Sequence, residues 1–307
     1  MKDVQKPYRI RTISEFHQLR GLSKPEHPLI SVVDYESIRH SSEFNVTSWT
    51  LDFYSISLKR NSAVKMKYGQ QEYDFDDGIL FFMAPGQVFR IEINVERKPD
   101  HSGWILLIHP DFIWNTSLAK NIKKYEYFDY SVSEALFLSE KEETLLNNII
   151  GNIQQEYHSN IDPFSQDIII SQIETLLNYA ERFYHRQFIT RKITNHKILD
   201  RLEEILAEYF REGDLRQKGL PSVQHVADLL DISPNYLSGL LKVLTGQSTQ
   251  QHIHDKLIEK AKERLSTTDL PITAIAYELG FEHSQSFSKL FKSKTNLSPQ
   301  EFRRSFH

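Results

Sequence analysis

Polar side chains that can hydrogen-bond to nucleic-acid bases recur in two segments near the C-terminus. Each segment also carries apolar residues at the i, i+3 and i+4 spacing of one buried helix face, and the first segment adds a fourth at i+7. The apolar residues are Leu237, Leu240, Leu241 and Leu244 in the first segment and Phe287, Leu290 and Phe291 in the second. The residues expected to point outward are Asn235, Tyr236, Ser238, Gly239 and Lys242 in the first and Ser284, Gln285, Ser286, Ser288, Lys289 and Lys292 in the second. Asn and Gln can pair with adenine in a major groove, Lys with guanine, and Ser with several bases.

The two segments are copies of one unit. At an offset of about fifty positions, Leu237 corresponds to Phe287 and Ser238 to Ser288. Ser233 and Pro234 supply a hydroxyl N-cap and a proline for the first turn of the helix. On a single amphipathic helix, the simpler explanation of such polar residues is an ordinary solvated face. A duplicated unit indicates one task performed at two places, so we predict two helix-turn-helix units whose outward residues, apart from Gly239, contact DNA.

Composition excludes several classes of protein. Cysteine is absent, which excludes disulfides and thiol chemistry and fits a cytoplasmic location. No apolar run approaches the ~20 residues that span a bilayer, and residues 1–7 lack the apolar core of a secretion signal. The net charge of −4 does not indicate a nucleic-acid partner for the whole chain. Between His283 and His307, however, Glu301 is the one acid among Lys289, Lys292, Lys294, Arg303 and Arg304.

The N-terminal half has the pattern of short strands, from about Ser31 to Ile108. Residues 49–58 are rich in β-branched and aromatic side chains, with apolar residues two apart. Residues 79–83 and 104–108 are continuous apolar runs of strand length, which indicates buried core strands. Turn signals recur at Tyr68-Gly69, Asp77-Gly78, Pro85-Gly86 and Ser102-Gly103, as in an all-β barrel or sandwich.

Helical periodicity begins after Ser139. One apolar stripe runs from Leu145 to Tyr157, and a second follows Asp162-Pro163, an N-cap and N1 pair. These stripes could pack on the barrel, form a two-fold interface with a second subunit, or divide the two roles between them. Thr190–His196 is short, polar and charged, so we predict a linker there, after which helical periodicity resumes up to Gly213.

Residues Leu220–His307 resemble the C-terminal DNA-binding domain of the AraC/XylS family of bacterial transcription regulators. The resemblance is carried by Tyr236-Leu237-Ser238, Thr245-Gly246, Glu259–Leu265, Ile275–Phe281, Ser286–Lys292 and Leu297-Ser298-Pro299. It implies that a central helix, here Thr249 to Leu265, holds two recognition helices one DNA turn apart. Leu257 and Gly239 depart from the family pattern, in which basic or bulky residues are common at these positions. We therefore expect the second recognition helix to carry more of the specificity.

The N-terminal half resembles the cupin-type sensor domain of sugar-responding AraC relatives. The resemblance is carried by its length, by Asp77-Gly78 and Ala84-Pro85-Gly86-Gln87 after an apolar strand, and by its place before paired helices. Cupin enzymes hold a metal through closely spaced histidines, whereas His101 and His109 are a strand apart here. We therefore predict no metal and no cofactor. The expected pocket walls are Tyr54, Phe82 and Trp104, with Lys59 or Arg90 as polar anchors.

The resemblances imply an α+β protein: a cupin-like β-barrel with paired helices, followed by an all-α domain with two helix-turn-helix units. We assign residues 1–138 to effector binding, 139–189 to dimerisation, 190–196 to a linker and 197–307 to DNA binding. The expected function is that of an effector-responsive transcription activator, without enzyme activity. Its expected partners are double-stranded DNA, a second copy of the chain, a small-molecule effector and RNA polymerase, with no membrane. The alternatives are a cupin enzyme fused to a DNA-binding module and a regulator whose barrel binds a protein.

Overall fold

The computed structural model describes residues 7–39, 48–60, 62–68, 71–75, 78–90, 102–131, 134–158, 162, 164–211 and 215–305; for residues 62–68, 71–75, 89–90, 192–194 and 217 it describes the backbone alone. The chain divides into two compact units, Met1–Gln187 and Phe188–His307. The first unit contains both sheet and helix, and the second is helical over its described residues.

The strands of the first unit form three sheets. The strands are β1 Tyr8–Ile10, β2 Ile30–Asp34, β3 Ser48–Leu51, β4 Tyr54–Arg60, β5 Ser62–Tyr68, β6 Gln71–Phe75, β7 Ile79–Met83, β8 Val88–Arg90, β9 Ser102–Ile108 and β10 Leu136–Phe137. The largest sheet is antiparallel, in the order β10-β7-β4-β9-β2. The order β1-β3-β8 forms a second sheet, and β5 pairs with β6. The described strands thus lie in separate sheets, and the closed cupin-like barrel stays a prediction.

The strand predictions hold in part. Both apolar runs are strands, β7 and the greater part of β9. The predicted strand over residues 49–58 is two strands, because Asp52 and buried Phe53 form a bend between β3 and β4. Ser102 and Gly103 belong to β9 rather than to a turn. A Cβ on Gly103 would lie 2.1 Å from the Leu58 carbonyl oxygen, so the strands can approach this closely only at a glycine.

The five-stranded sheet buries both of its faces. Because alternate residues of a strand point to opposite sides, β4 divides into Tyr54, Ile56 and Leu58 on one face and Ser55, Ser57 and Lys59 on the other. The first side is here called the helix face and consists of Tyr54, Ile56, Leu58, Leu80, Phe82, Trp104 and Leu106. The second side is called the serine–lysine face and includes Ser31, Val33, Ser55, Ser57, Lys59, Phe81, Ile105 and Leu107.

Helices and aromatic residues cover the helix face. The helices of this unit are α1 Ile13–Leu19, α2 Pro110–Ile113, α3 Ser117–Asn121, α4 Glu140–His158 and α5 Ser165–Thr190, the last of which extends past its boundary. The Phe82 ring centroid lies 4.4 Å from that of Tyr127 and 6.4 Å from that of Tyr184 on α5. The Trp104 indole donates to Asn147 Oδ1 on α4 at 2.8 Å. The apolar stripes of α4 and α5 are largely buried within this unit, as the first of the three alternatives expects.

The serine–lysine face packs on the three-stranded sheet and α1. Val33, Ile105 and Leu107 share one apolar core with Trp49 of β3 and Phe16 of α1. Polar groups in this layer come from β4 and from buried His17 of α1, whose Nε2 lies 3.0 Å from the hydroxyl of buried Ser31 on β2.

The second unit is a helical bundle around one core. Its helices are α6 Lys192–Arg211, α7 Leu215–Lys218, α8 Val223–Leu229, α9 Pro234–Thr245, α10 Thr249–Thr267, α11 Ile272–Glu278, α12 Ser284–Thr295 and α13 Pro299–Arg304. Leu206, Leu237, Leu257 and Phe287, from four different helices, are buried in the same core. Helix α10 contacts α6, α9, α11, α12 and α13. With 19 residues it is about 28 Å long.

The predicted linker over residues 190–196 is wrong. Helix α5 ends at Thr190 and α6 begins at Lys192, so Arg191 alone separates them. Asn195 is 1% exposed, and its side-chain amide donates to the Phe188 carbonyl at 2.6 Å. Its polarity therefore satisfies buried backbone rather than solvent. The division between units falls between Gln187 and Phe188, while the domain roles assigned from the sequence stay predictions.

Candidate nucleic-acid interface

The second unit contains two helix-turn-helix units of matching dimensions. Helices α8 and α11 each have 7 residues, and α9 and α12 each have 12. Val223 and Ile272, which begin α8 and α11, are 272 − 223 = 49 positions apart. Pro234 and Ser284, which begin α9 and α12, are 284 − 234 = 50 positions apart. The duplication in the sequence is thus a duplication of the fold, with one extra residue in the second turn.

The ends of the recognition helices α9 and α12 are also repeated. Gly246 and Asn296 terminate them with φ of 75° and 61°, the left-handed conformation that glycine and asparagine adopt most readily. The next helix then starts with a capping box in both copies, formed by Ser248 with Gln251 and by Ser298 with Glu301. Local hydrogen bonds therefore fix where each recognition helix stops and where the supporting helix begins.

The turn of the second helix-turn-helix unit requires glycine. Gly280 has a φ of 83°, and a Cβ there would lie 2.8 Å from the Leu215 carbonyl oxygen. The first helix-turn-helix unit has Asp231, with a φ of 56°, in the corresponding turn. Aspartate tolerates this conformation better than most residues. Both turns hold the recognition helix at a fixed angle to the helix before it.

The outward face of α9 is smaller than predicted. Lys242 is exposed and Asn235 is half-buried. Tyr236 is 6% exposed, and its ring centroid lies 5.1 Å from that of Phe188 in an edge-to-face arrangement. The prediction that Tyr236 points outward is wrong, because this ring fills space in the core instead of meeting solvent. Ser238 is half-buried, and its hydroxyl lies 3.1 Å from the hydroxyl of Thr249, so it joins α9 to α10.

The outward face of α12 is larger. Gln285, Ser286, Lys289 and Lys292 are exposed, while Ser284 is half-buried. Within the described residues, the side chains of Gln285 and Lys289 make no hydrogen bond or ion pair. Both are therefore available to a partner. The Ser288 hydroxyl donates to the Ser284 carbonyl at 3.0 Å, as half-buried serines in helices often do.

Asp255 of α10 connects the segments that follow the two recognition helices. Its carboxylate accepts from Gln247 Nε2 at 3.0 Å and from Lys294 Nζ at 2.7 Å. Part of the charge of Lys294 is therefore neutralised by this ion pair. Sequence reasoning missed Asp255, since its two partners are 8 and 39 positions away.

Glu301 on α13 and two histidines on α10 affect the charge of this surface. The pKa of Glu301 is lowered by its hydrogen bonds with Ser298 and, to a smaller extent, by the charges of Lys292 and Arg304. Glu301 thus stays ionised and moderates the positive potential at the end of α12. Burial lowers the pKa of His252 and His254 on α10 below the ordinary value of 6.5. Both imidazoles therefore carry less positive charge at pH 7 than a histidine in water would.

The predicted ligand residues of the first compact unit lie in two different surroundings, and their role in ligand binding stays a prediction. Tyr54 and Phe82 belong to the aromatic cluster of the helix face, where each contacts Phe128. Trp104 lines an open cleft of about 360 Å³ beside α4. Tyr54 and Phe82 do not line this cleft. Lys59 lies on the serine–lysine face, away from all three. The side chain of Arg90 and the whole of His101 lie outside the described residues, and His109 caps α2 by accepting from the Asp111 amide.

Over the described residues, no group of three or more His, Asp or Glu side chains is placed to hold a metal ion. No described helix is both long enough and apolar enough to cross a membrane.

Comparison with known proteins finds similarity for part of the second compact unit. A family described as a helix-turn-helix domain matches residues 226–305. The arabinose operon regulatory protein of Escherichia coli K12 is 38% identical over 81 residues, 26% of this chain and 28% of the relative. The uncharacterized HTH-type transcriptional regulator YijO of the same organism is 33% identical over 106 residues, 34% of this chain and 36% of the relative.

A solved structure, the C-terminal domain of AraT, a response regulator from Geobacillus stearothermophilus, is 33% identical; the alignment covers 35% of this chain and 84% of that domain, with a TM-score of 0.31. Residues 226–305 are an AraC-type helix-turn-helix domain. The chain spans only about a third of the length of the curated relatives named above.

Proposed function

We propose that this protein is a transcription regulator that binds double-stranded DNA through α9 and α12. The observation that carries the proposal is the repeated geometry of the two recognition helices, each packed on α10 with polar and basic residues outward. Two such helices on one rigid support suit two successive major-groove segments of one DNA duplex. The relatives named as regulators support the same assignment.

The residues that we assign to DNA are those that remain outward. Asn235 and Lys242 on α9, and Ser284, Gln285, Ser286, Lys289 and Lys292 on α12, keep this role. Tyr236 is removed from the set because it is buried, and Ser238 and Ser288 act by fixing their helices. The outward faces differ in size, which supports the expectation that the second recognition helix determines more of the specificity.

The first unit is proposed to sense a small molecule and to change the activity of the DNA-binding unit. Its two packed sheets and covering helices are compatible with a cupin-like sensor, and its aromatic residues could enclose an organic ligand. A ligand acts on such a protein only through the difference between its affinities for the active and inactive arrangements. We further propose a homodimer that activates transcription in contact with RNA polymerase, in the cytoplasm and without a cofactor or catalytic activity.

Selection of binding sites from random DNA tests the central proposal. The full chain should enrich one sequence motif containing two half-sites one helical turn apart. A double variant, Gln285→Ala with Lys289→Ala, should lose enrichment in one half-site and retain the other. Recovery of random sequences by the unaltered protein would contradict the proposal, and so would a motif with a single short half-site.

A further inference from the structure

Polar groups of β4 line the serine–lysine face, in a layer whose other buried residues are mostly apolar. Ser55 and Ser57 are buried, and their hydroxyls lie 3.4 Å apart. Lys59 continues the stripe at the next alternate position of β4. Tyr35, just beyond β2, is packed against the same layer and hydrogen-bonds with Ser57. Buried polar groups in the middle of a core are costly unless something satisfies them.

Two cations on this face rest on aromatic rings. Lys59 Nζ lies 5.0 Å from the ring centroid of Tyr35 and 5.1 Å from that of Phe81. The guanidinium carbon of Arg20, at the C-terminal cap of α1, lies 4.7 Å from the Trp49 centroid and 5.7 Å from that of Phe16. Arg20 Nε is buried without a hydrogen-bond partner among the described residues. Ring faces attract cations but cannot accept the directed hydrogen bonds that a guanidinium offers.

Three acids near this layer in the sequence interact with groups other than Lys59 and Arg20. Asp52 forms an ion pair with Arg9 at 2.8 Å, and Glu15 accepts from the Arg11 amide at 2.8 Å. Asp34 accepts from the amide of Glu36. In the described part of the chain, therefore, no carboxylate forms an ion pair with Lys59 or Arg20. Among the described residues, the layer thus holds two cationic side chains and no carboxylate paired with them.

The pKa values agree with this geometry. Burial, followed by the charge of Arg20, lowers the pKa of Lys59 to about 8. Burial also lowers the pKa of Arg20 and raises that of Tyr35. The two cations are thus near enough to interact, and each is less stable as a charged group than it would be in water. An anion placed between them would reverse both effects.

We propose that the serine–lysine face binds a small organic carboxylate, held by Arg20 and Lys59, whose apolar body lies against Trp49, Phe16 and Phe81. Arg20 supplies planar donors that match a carboxylate, and Lys59 supplies a second positive charge. The hydroxyls of Ser55, Ser57 and Tyr35 offer further hydrogen bonds to polar substituents on the ligand. This site deepens the sensing role in the proposed function and rests on it for its regulatory meaning. It differs from the pocket predicted at Tyr54, Phe82 and Trp104.

Calorimetric titration of the full chain with matched acids and amides tests the site. The probes are phenylacetate with phenylacetamide and hexanoate with hexanamide, which differ mainly in charge. At least one acid should bind at least tenfold more tightly than its amide at pH 7. This comparison uses the unaltered protein, so it does not depend on whether a variant folds. An amide that binds as tightly as its acid would overturn the proposal, as would the failure of both acids to bind at millimolar concentration.

Variants locate the site. Arg20→Gln and Lys59→Met should each weaken binding of the acid at least tenfold. Lys120→Met removes one charge from an exposed position on α3 and should leave affinity unchanged. Equal losses in Lys120→Met and Lys59→Met would show a general charge effect and overturn the assignment. Unchanged affinity in both Arg20→Gln and Lys59→Met would overturn it as well.

DNA affinity measured on the same samples separates this proposal from the proposed function. A protein that binds a specific DNA site but prefers amides contradicts the carboxylate site alone. A protein that binds the acids but recognises no DNA sequence contradicts the proposed function and still supports the carboxylate site.

Discussion

Lys292 and Lys294 lie two residues apart near the end of α12, but their surroundings differ. Lys294 forms an ion pair with Asp255 at 2.7 Å, whereas Lys292 is exposed and its charge contributes to lowering the pKa of Glu301. A cation that contacts phosphate releases counterions, so its loss changes the salt dependence of binding in proportion. The two lysines should therefore contribute unequally to DNA binding.

We predict that Lys292→Ala weakens binding to all DNA sequences alike. The slope of log K against log salt should fall by about one unit, because one phosphate contact is lost. Lys294→Ala should change the slope less, since its charge is partly neutralised in the free protein. Lys262→Ala, at an exposed position on α10, is the matched control and should have no effect. Titrations at four salt concentrations measure all three, and an unchanged slope for Lys292→Ala would remove this residue from the interface.

The second prediction ranks the two recognition helices. Gln285→Ala or Lys289→Ala should each cost about 1–3 kcal/mol on the best site and relax preference at particular base pairs. Asn235→Ala should cost less, because Gly239 offers no neighbouring side chain and Tyr236 is buried, so α9 presents fewer groups to bases. Site selection with each variant measures the change in preference. A larger relaxation with Asn235→Ala than with Gln285→Ala would reverse the ranking.

At the scale of elements, local signals predicted some parts of this fold well and others poorly. The start of α9 could be predicted at Ser233-Pro234 because an N-cap and a first-turn proline act within a few residues. The linker could not, because a polar segment has the same composition whether Asn195 meets solvent or the buried carbonyl of Phe188. The alternation of apolar and polar residues in β4 distinguishes the two faces of this strand. Which face meets helices and which meets the second sheet depends on strands distant in sequence, so the surroundings of Tyr54, Phe82 and Trp104 could not be predicted from β4 alone.

The third prediction concerns α6 and the residues before it. Because Phe188 packs on Tyr236 and receives a hydrogen bond from Asn195, a DNA-binding fragment should begin at residue 188. A fragment of residues 188–307 should unfold cooperatively, several degrees above a fragment of residues 197–307. The shorter fragment loses an aromatic contact worth about 0.5–1.5 kcal/mol beyond its buried area and exposes the Tyr236 ring. Calorimetry compares the two. Equal melting temperatures would show that the segment 188–196 adds no stability to this unit.

At the scale of the whole molecule, the proposed homodimer needs a surface on which two copies can meet. The apolar stripes of α4 and α5 are largely buried within one chain, so they cannot also supply a large free interface. Exposed apolar residues remain near the start of α5, where Phe164 is 68% and Ile168 is 43% exposed. Gln166 donates to the Phe112 carbonyl at 2.6 Å, which places this end of α5 beside the segment that bears Trp114, 78% exposed. Exposed apolar groups of this size favour association with another protein surface.

The fourth prediction follows from that surface. The full chain should be a dimer at micromolar concentration by light scattering, and the double change Phe164→Ser with Ile168→Ser should yield a folded monomer. Val88→Ser, which alters an apolar residue that is 57% exposed on β8, should remain dimeric. The monomeric variant should bind a paired operator more weakly than the dimer, yet bind a single site with unchanged affinity, since it loses only the effective concentration of the second DNA-binding unit. A monomeric full chain, on and off DNA, would contradict the dimer, and a dimeric double variant would move the interface away from α5.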